Sequence, residues 1–265
     1  MSGCGSFNFE NCGIPIAKLI KNGAKPSKRD AVISLDEHSG ARNNYPELVI
    51  TGDERFQYIP DDTKERTIHY IVGASGSGKS YFASQLANEY KKLHPKNSIY
   101  LLSYVDSDSS IEQVKGLRRI PLNAEFLDEE LNAEDFENSL TIWDDTDCIT
   151  DKKMKLKLKD LLGKLLNTGR HTGTSVIYLS HIACNGLETK GILNESHTLT
   201  FFPATLGGRS RSYLLNQYLG LSKKQIEAID DIHGRAITIA KLFPMVLIAE
   251  KEIKLIKNLG RESTK

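Results

Sequence analysis

The chain has 265 residues, 39% of them hydrophobic and 26% charged, with 35 Lys plus Arg against 34 Asp plus Glu and a formal net charge of +1. That balance excludes a strongly basic nucleic-acid coat protein and an acidic disordered tail, and it leaves any nucleic-acid contact to a local patch. A chain this long buries roughly 70–75% of its unfolded surface, so a core needs neither disulfides nor a metal.

Residues 1–13 are rich in Gly and Ser, with neither the basic start nor the apolar segment of a secretory signal. Short β-rich runs follow at Ala31 to Leu35 and Glu47 to Thr51, separated by turn-rich chain, and 61–66 is a polar linker. We read 1–66 as a β-rich N-terminal appendage that docks onto a partner or neighbouring subunit, and 67–265 as the main domain. From Thr67 the pattern becomes strand–helix alternation. Thr67 to Val72 is a β-branched run ending at Gly73. A helix follows with Phe82, Leu86 and Tyr90 on one face, stopped at His94-Pro95. Ser98 to Leu102 predicts a strand, and Ser109-Ser-Ile-Glu112 has the pattern of a capping box. Leu140 to Trp143 is a third strand. A helix is expected from about Lys152 to Asn167 on the stripe Met154, Leu158, Leu161 and Leu165. Thr174 to Leu179 and His197 to Phe202 read as two more strands, and 235–249 as a hairpin around Phe243-Pro244. The alternation predicts an α/β fold with a mainly parallel sheet, helices on both faces and a C-terminal β-hairpin. The longest apolar run, Leu242 to Ala249, contains Pro244 and falls far short of the ~18 residues a membrane span requires. Cys4, Cys12, Cys148 and Cys184 form no C-x-x-C pair. Reduced thiols in an intracellular, reducing compartment are expected, with a Cys4–Cys12 disulfide as the alternative.

Gly73-Ala74-Ser75-Gly76-Ser77-Gly78-Lys79-Ser80 matches G-x-x-x-x-G-K-[ST], the Walker A phosphate loop, between an expected strand and an expected helix. The glycines let successive amides curl inward around phosphate oxygens, and the helix that follows presents its positive end to the same anion. Lys79 reaches the β/γ-phosphates and the Ser80 hydroxyl binds Mg²⁺. With Tyr81, the next residue, these positions form the expected ATP site. Asp144 stands 65 residues after Lys79 at the end of an apolar strand, where a Walker B aspartate holds the metal. Asp145 beside it is the expected base for the attacking water, or else the cap of the next helix, a role that Asp147 and Thr150 fill equally well. Ser180 and His181 end the fourth strand at the edge where ligands gather, which makes His181 a candidate sensor. Arg170, at a helix end, is either an arginine finger for a neighbouring subunit's nucleotide or a solvated residue complementing the helix dipole.

The phosphate loop, the Trp143-Asp144-Asp145 pair, the Thr168-Gly-Arg-His171 turn and the strand ending at His181 resemble the FtsK–HerA superfamily over roughly 67–250. They look most like the genome-packaging ATPases of large double-stranded DNA viruses. The resemblance implies a RecA-like core and a homo-oligomeric ring, hexamer or pentamer, that threads duplex DNA on ATP hydrolysis. It also implies possible capsid partners and a place in the host cytoplasm, a viral factory or the virion. It gives Lys79 and Ser80 the phosphate-loop roles, Asp144 the metal, Asp145 the base, His181 the sensor and Arg170 the finger in trans. Many relatives carry Glu at position 145 and Gln at position 181. Lys153, Lys157 and Lys164 on one helix face, with Arg209 and Arg211 in a glycine-flanked loop, are candidate phosphate contacts or simply a solvated basic face. Two other functions suit a phosphate loop: a small-molecule kinase with Arg209 and Arg211 in its lid, and a non-hydrolysing protein that assembles on ATP.

Overall fold

The computed structural model describes residues 5–21, 23, 30–38 and 40–260. Cys4 lies outside them, and Cys12, Cys148 and Cys184 are free thiols. The chain forms two units, one from Met1–Thr63 with Thr198–Lys265 and the other from Lys64–His197.

In the first unit, β1 (Ser6–Asn8), β2 (Ile14–Lys21), β3 (Ala31–Asp36) and β5 (Glu54–Tyr58) make an antiparallel sheet in the order β1-β3-β2-β5. Between β3 and β5 runs β4 (Glu47–Val49). Phe7, Ile16, Ile33, Leu35 and Phe56 are buried in this part of the unit. Asn8, also buried, ties the turn after β1, where its side chain donates to the Cys12 carbonyl (2.8 Å) and accepts from the Glu10 amide (2.9 Å).

The second unit carries the strand–helix alternation. It comprises β6 (Ile68–Val72), α1 (Lys79–Leu93), β7 (Ser98–Ser103), α2 (Ser109–Glu112), β8 (Leu117–Ile120), α3 (Ala124–Asp128), β9 (Ser139–Asp144), α4 (Lys152–Thr168), β10 (Ser175–Ser180) and α5 (Leu187–Glu195). Its five strands are all parallel in the order β6-β10-β9-β7-β8. Every residue of β6, β9 and β10 is buried, as parallel strands covered on both faces require. Polar groups on these strands are paired, as where the Trp143 indole N–H donates to Thr141 (3.1 Å) and the Thr141 hydroxyl donates to the Ser175 carbonyl (3.3 Å). The expected stripe of α4 (Met154, Leu158, Leu161 and Leu165) is buried. Its N-cap is Asp151, whose carboxylate accepts from the Met154 amide (2.8 Å). At its other end the Arg66 guanidinium donates to the Leu165 and Leu166 carbonyls, both at 2.7 Å. The capping pattern at Ser109 shifts by one residue, because Asp108 caps α2 through the Ser110 amide (2.8 Å) and Glu112 pairs with Arg119 (2.7 Å) instead.

The first unit resumes with β11 (Thr198–Phe201), α6 (Gly208–Leu219), α7 (Lys223–Asp230), β12 (Ile237–Ala240), β13 (Val246–Ala249) and β14 (Glu252–Leu255). These strands and β4 run antiparallel in the order β11-β12-β13-β14-β4. The expected C-terminal hairpin is β12–β13. The strand expected at 197–202 is present as β11, which pairs antiparallel with β12. The expected division after residue 66 lies close to the one at 63, whereas 198–265 groups with the N-terminal stretch because β4 pairs with β14 across some two hundred residues of chain.

Candidate active site

The phosphate loop leaves the carboxyl end of β6 and enters α1. Its Gly76 (φ +73°) and Gly78 (φ +107°) hold left-handed backbone that a side chain would strain. No heavy atom lies within 4 Å of where a Cβ on Gly76 would stand, so conformation, not space, demands glycine there. Ala74, Ser75 and Gly76 are exposed at the loop tip while Lys79 is buried. In any α-helix the first-turn amides lack intrahelical acceptors, and here those of Lys79, Ser80 and Tyr81 begin α1 directly behind the loop. Tyr81 is half exposed beside it.

Parallel pairing brings the other candidates to the same edge. Ser180 is in register with Val72, and Tyr178 with Trp143, so β10 lies between the phosphate-loop strand and the strand that ends in Asp144. The Ser180 carbonyl accepts from the Gly73 amide (3.2 Å). The Lys79 ammonium donates to the Gly73 carbonyl (2.9 Å) and the Ala74 carbonyl (3.3 Å), and lies 3.3 Å from Nδ1 of His181. His181 Nε2 is 2.5 Å from Asp145 Oδ1. An ammonium can only donate, so Nδ1 accepts and Nε2–H donates to Asp145, an assignment made from the partners. Asp147 steadies the same corner, accepting from the Ser180 hydroxyl (2.9 Å) and the His181 amide (3.2 Å).

Asp145 has a left-handed backbone (φ +53°) and starts a one-turn 3-10 helix, Thr146–Cys148. Its side chain makes no capping bond there and turns to His181, while Asp151 caps α4. Asp144 is buried, and the Ser103 hydroxyl donates to it (3.4 Å). Burial first, then the charges of Asp145 and Asp108, push its carboxyl up to about 6. Burial also lowers the Lys79 ammonium, against the pull of Asp145 and Asp144. The Ser80 hydroxyl hydrogen-bonds Asp108, which helps hold that carboxylate below its ordinary value against the effect of burial. Ser80, Asp108 and Asp144 are hard oxygen donors, and two crowded carboxylates are what a small divalent cation relieves, so they fit Mg²⁺. Asp108 and Ser103 were not singled out from the sequence, although both stand at or just beyond the carboxyl end of β7, the edge where ligands of such sheets bind.

Arg170 is not part of this group. It begins the turn into β10 at the opposite sheet edge, roughly 20 Å away by the length of a six-residue strand, and pairs with Glu65 at the surface (2.9 Å). Of the basic candidates, Lys157 donates to the Leu127 and Glu129 carbonyls at the end of α3 and sits 5.1 Å from the Phe126 ring centroid. Lys164 pairs with Asp160 (2.9 Å), and Arg211 pairs with Asp230 (2.8 Å) and donates to the Pro203 carbonyl (3.2 Å). Lys153 and Arg209 are exposed.

No family model matches the chain. It is 34% identical over 252 residues to the uncharacterized protein V3 of Sputnik virophage, covering 94% of this chain and 98% of that one. Among solved structures it is similar to B204, the DNA-packaging ATPase from Sulfolobus turreted icosahedral virus (16% identity, 70% of this chain and 97% of that one, TM-score 0.48). It is also similar to the cytoplasmic domain of the type VII secretion ATPase EccC of Thermomonospora curvata (13% identity, 78% of this chain and 28% of that one, TM-score 0.48). The chain belongs to the same family as the uncharacterized protein V3 of Sputnik virophage.

Proposed function

We propose that this protein is an ATP-hydrolysing, homo-oligomeric motor that moves double-stranded DNA without reading its sequence, and that it packages a viral genome into a capsid. The observation that carries the hydrolytic part is the connected set Lys79–His181–Asp145 at the carboxyl edge of the parallel sheet. The amides of 73–80 and the start of α1 cradle the β- and γ-phosphates, and Lys79 exchanges its bonds to the loop carbonyls for phosphate oxygens. Asp145 orients the attacking water and accepts its proton. His181 joins that carboxylate to Lys79, so it registers whether the γ-phosphate is present. Ser80 and Asp144, with Asp108, are the residues that would hold Mg²⁺, which when bound neutralises charge on the phosphate oxygens. The DNA-moving part rests on the resemblance of the sequence motifs to the FtsK–HerA superfamily; Lys153 and Arg209, both exposed, are the basic candidates that could touch a phosphate backbone.

The pairing of Arg211 with Asp230 removes one of the two arginines a kinase lid would need. Turnover of ATP by the purified protein, measured with and without long duplex DNA alongside its mass in solution, tests the proposal. DNA-stimulated phosphate release from an oligomer is expected. A phosphorylated small-molecule product, or assembly on ATP with no phosphate release, would replace it with the kinase or the assembly protein.

A further inference from the structure

Beside the catalytic pair stands a donor that hydrolysis does not use. The 3-10 turn after Asp145 closes with the Cys148 amide donating to the Asp145 carbonyl (3.1 Å), and in such a turn side chains three apart lie one above the other. This carries the thiol of Cys148 to the carboxylate of Asp145 and the ring of His181, and one ligand atom from each lies within 4.8 Å of the other two. Asp147 brings a further oxygen, its Oδ1 being 3.7 Å from the Cys148 sulfur. Donors around a tetrahedral zinc, bonded at about 2.0–2.3 Å, stand about 3.3–3.8 Å from one another. The sulfur–oxygen spacing already falls there, and the closer Asp145–His181 contact needs to open by less than an ångström. Cys148 is exposed, so an ion reaches the group from solvent.

A sulfur, an imidazole nitrogen and carboxylate oxygens are a poor set for Mg²⁺ and a good one for a borderline-soft cation. We propose that Asp145, Cys148 and His181, completed by Asp147 or solvent, form a Zn²⁺ site, and that zinc bound there switches the ATPase off. On binding, the Cys148 thiol gives its proton to solvent and its thiolate takes the metal, while the His181 proton moves from Nε2 to Nδ1, so that Nε2 binds the ion and Lys79 keeps only its bonds to the Gly73 and Ala74 carbonyls. The cation then occupies the oxygen that would receive the proton of the attacking water. Zinc binding stands on the geometry alone; inhibition rests on the hydrolytic reading of Asp145 given above.

The test uses the full chain, with Zn²⁺ added alone in a competition against a chromophoric chelator and with Co²⁺ as a spectroscopic substitute. One equivalent should bind, the cobalt form should show thiolate-to-metal charge-transfer absorption, and Cys148→Ser should lose that band and weaken zinc by at least about tenfold. Cys184→Ser should leave both unchanged. In turnover assays Cys148→Ser should match the unaltered protein without zinc and resist the zinc that silences it. Binding or inhibition unaltered by Cys148→Ser, or absence of binding, would overturn the proposal. If the protein binds zinc through Cys148 yet turns over no ATP under any condition, the hydrolytic reading fails and the metal site stands.

Discussion

Asp145 is where a single atom matters most. In the proposed mechanism an amide there keeps the shape and removes the base, so Asp145→Asn should bind ATP as before and hydrolyse it at least about a hundredfold more slowly, measured by phosphate release against nucleotide binding. Lys79→Ala should instead lose binding, read by the same pair of assays. His69 gives a different test. Buried in β6 against Phe82, it is held neutral, with its pKa pushed down by burial to about 3. The unfolded chain takes up that proton near pH 6.5 and the folded one does not until about pH 3, so stability from this residue is intact above 6.5 and falls by up to about 1.4 kcal/mol per pH unit below it. Urea unfolding between pH 7 and 4 should show a shallower pH slope in His69→Leu; equal slopes would remove His69 from the account. At this scale the phosphate loop was legible because its chemistry fixes four positions at set spacing within eight consecutive residues. The contacts of His181 were not, since they depend on which strand lies beside β6.

Among elements, those with long periodic patterns were readable and short ones were not. The stripe of α4 and the apolar runs of β6, β9 and β10 declare themselves because burial on a whole face leaves a repeating signature. Strand β8 (Leu-Arg-Arg-Ile) and the five residues of α3 carry too few apolar positions to show a period. Arg66 looked like part of a polar linker because a guanidinium capping a helix ninety-nine residues away leaves no local mark. Turn geometry between elements is equally concealed. Gly13, leading into β2, has φ +93°, and a Cβ there would stand 2.1 Å from the Leu35 carbonyl oxygen. Gly13→Ala should therefore cost about 3 kcal/mol in chemical denaturation, with phosphate-loop chemistry unaffected in the folded fraction. A loss under about 0.5 kcal/mol would show that β2 and β3 adjust freely.

For the molecule as a whole, the position of Arg170 makes a claim about more than one copy. At the far edge of its own sheet and in an exposed pair with Glu65, it serves a nucleotide only if that nucleotide belongs to a neighbour. Arg170→Ala and Asp145→Asn should each be inactive, and mixed assemblies should recover part of the turnover, because some interfaces then combine an intact base with an intact arginine. Mixtures as dead as the separate variants would confine Arg170 to the surface role of an ion pair. Such a partnership between copies leaves no trace in one chain's periodicity, so the sequence left Arg170 divided between a finger and a solvated helix end.

The pairing of β4 with β14 also has a history in time. A ribosome working at about 5–20 residues per second releases Glu47 to Val49 roughly 10–40 seconds before it makes Glu252 to Lys254. The stretch Lys64–His197, continuous in the chain, has all its strands in hand well before then. The nascent protein therefore carries the phosphate loop while an early strand still waits for its mate, and a truncated product would expose that unmatched edge to whatever chain passes by.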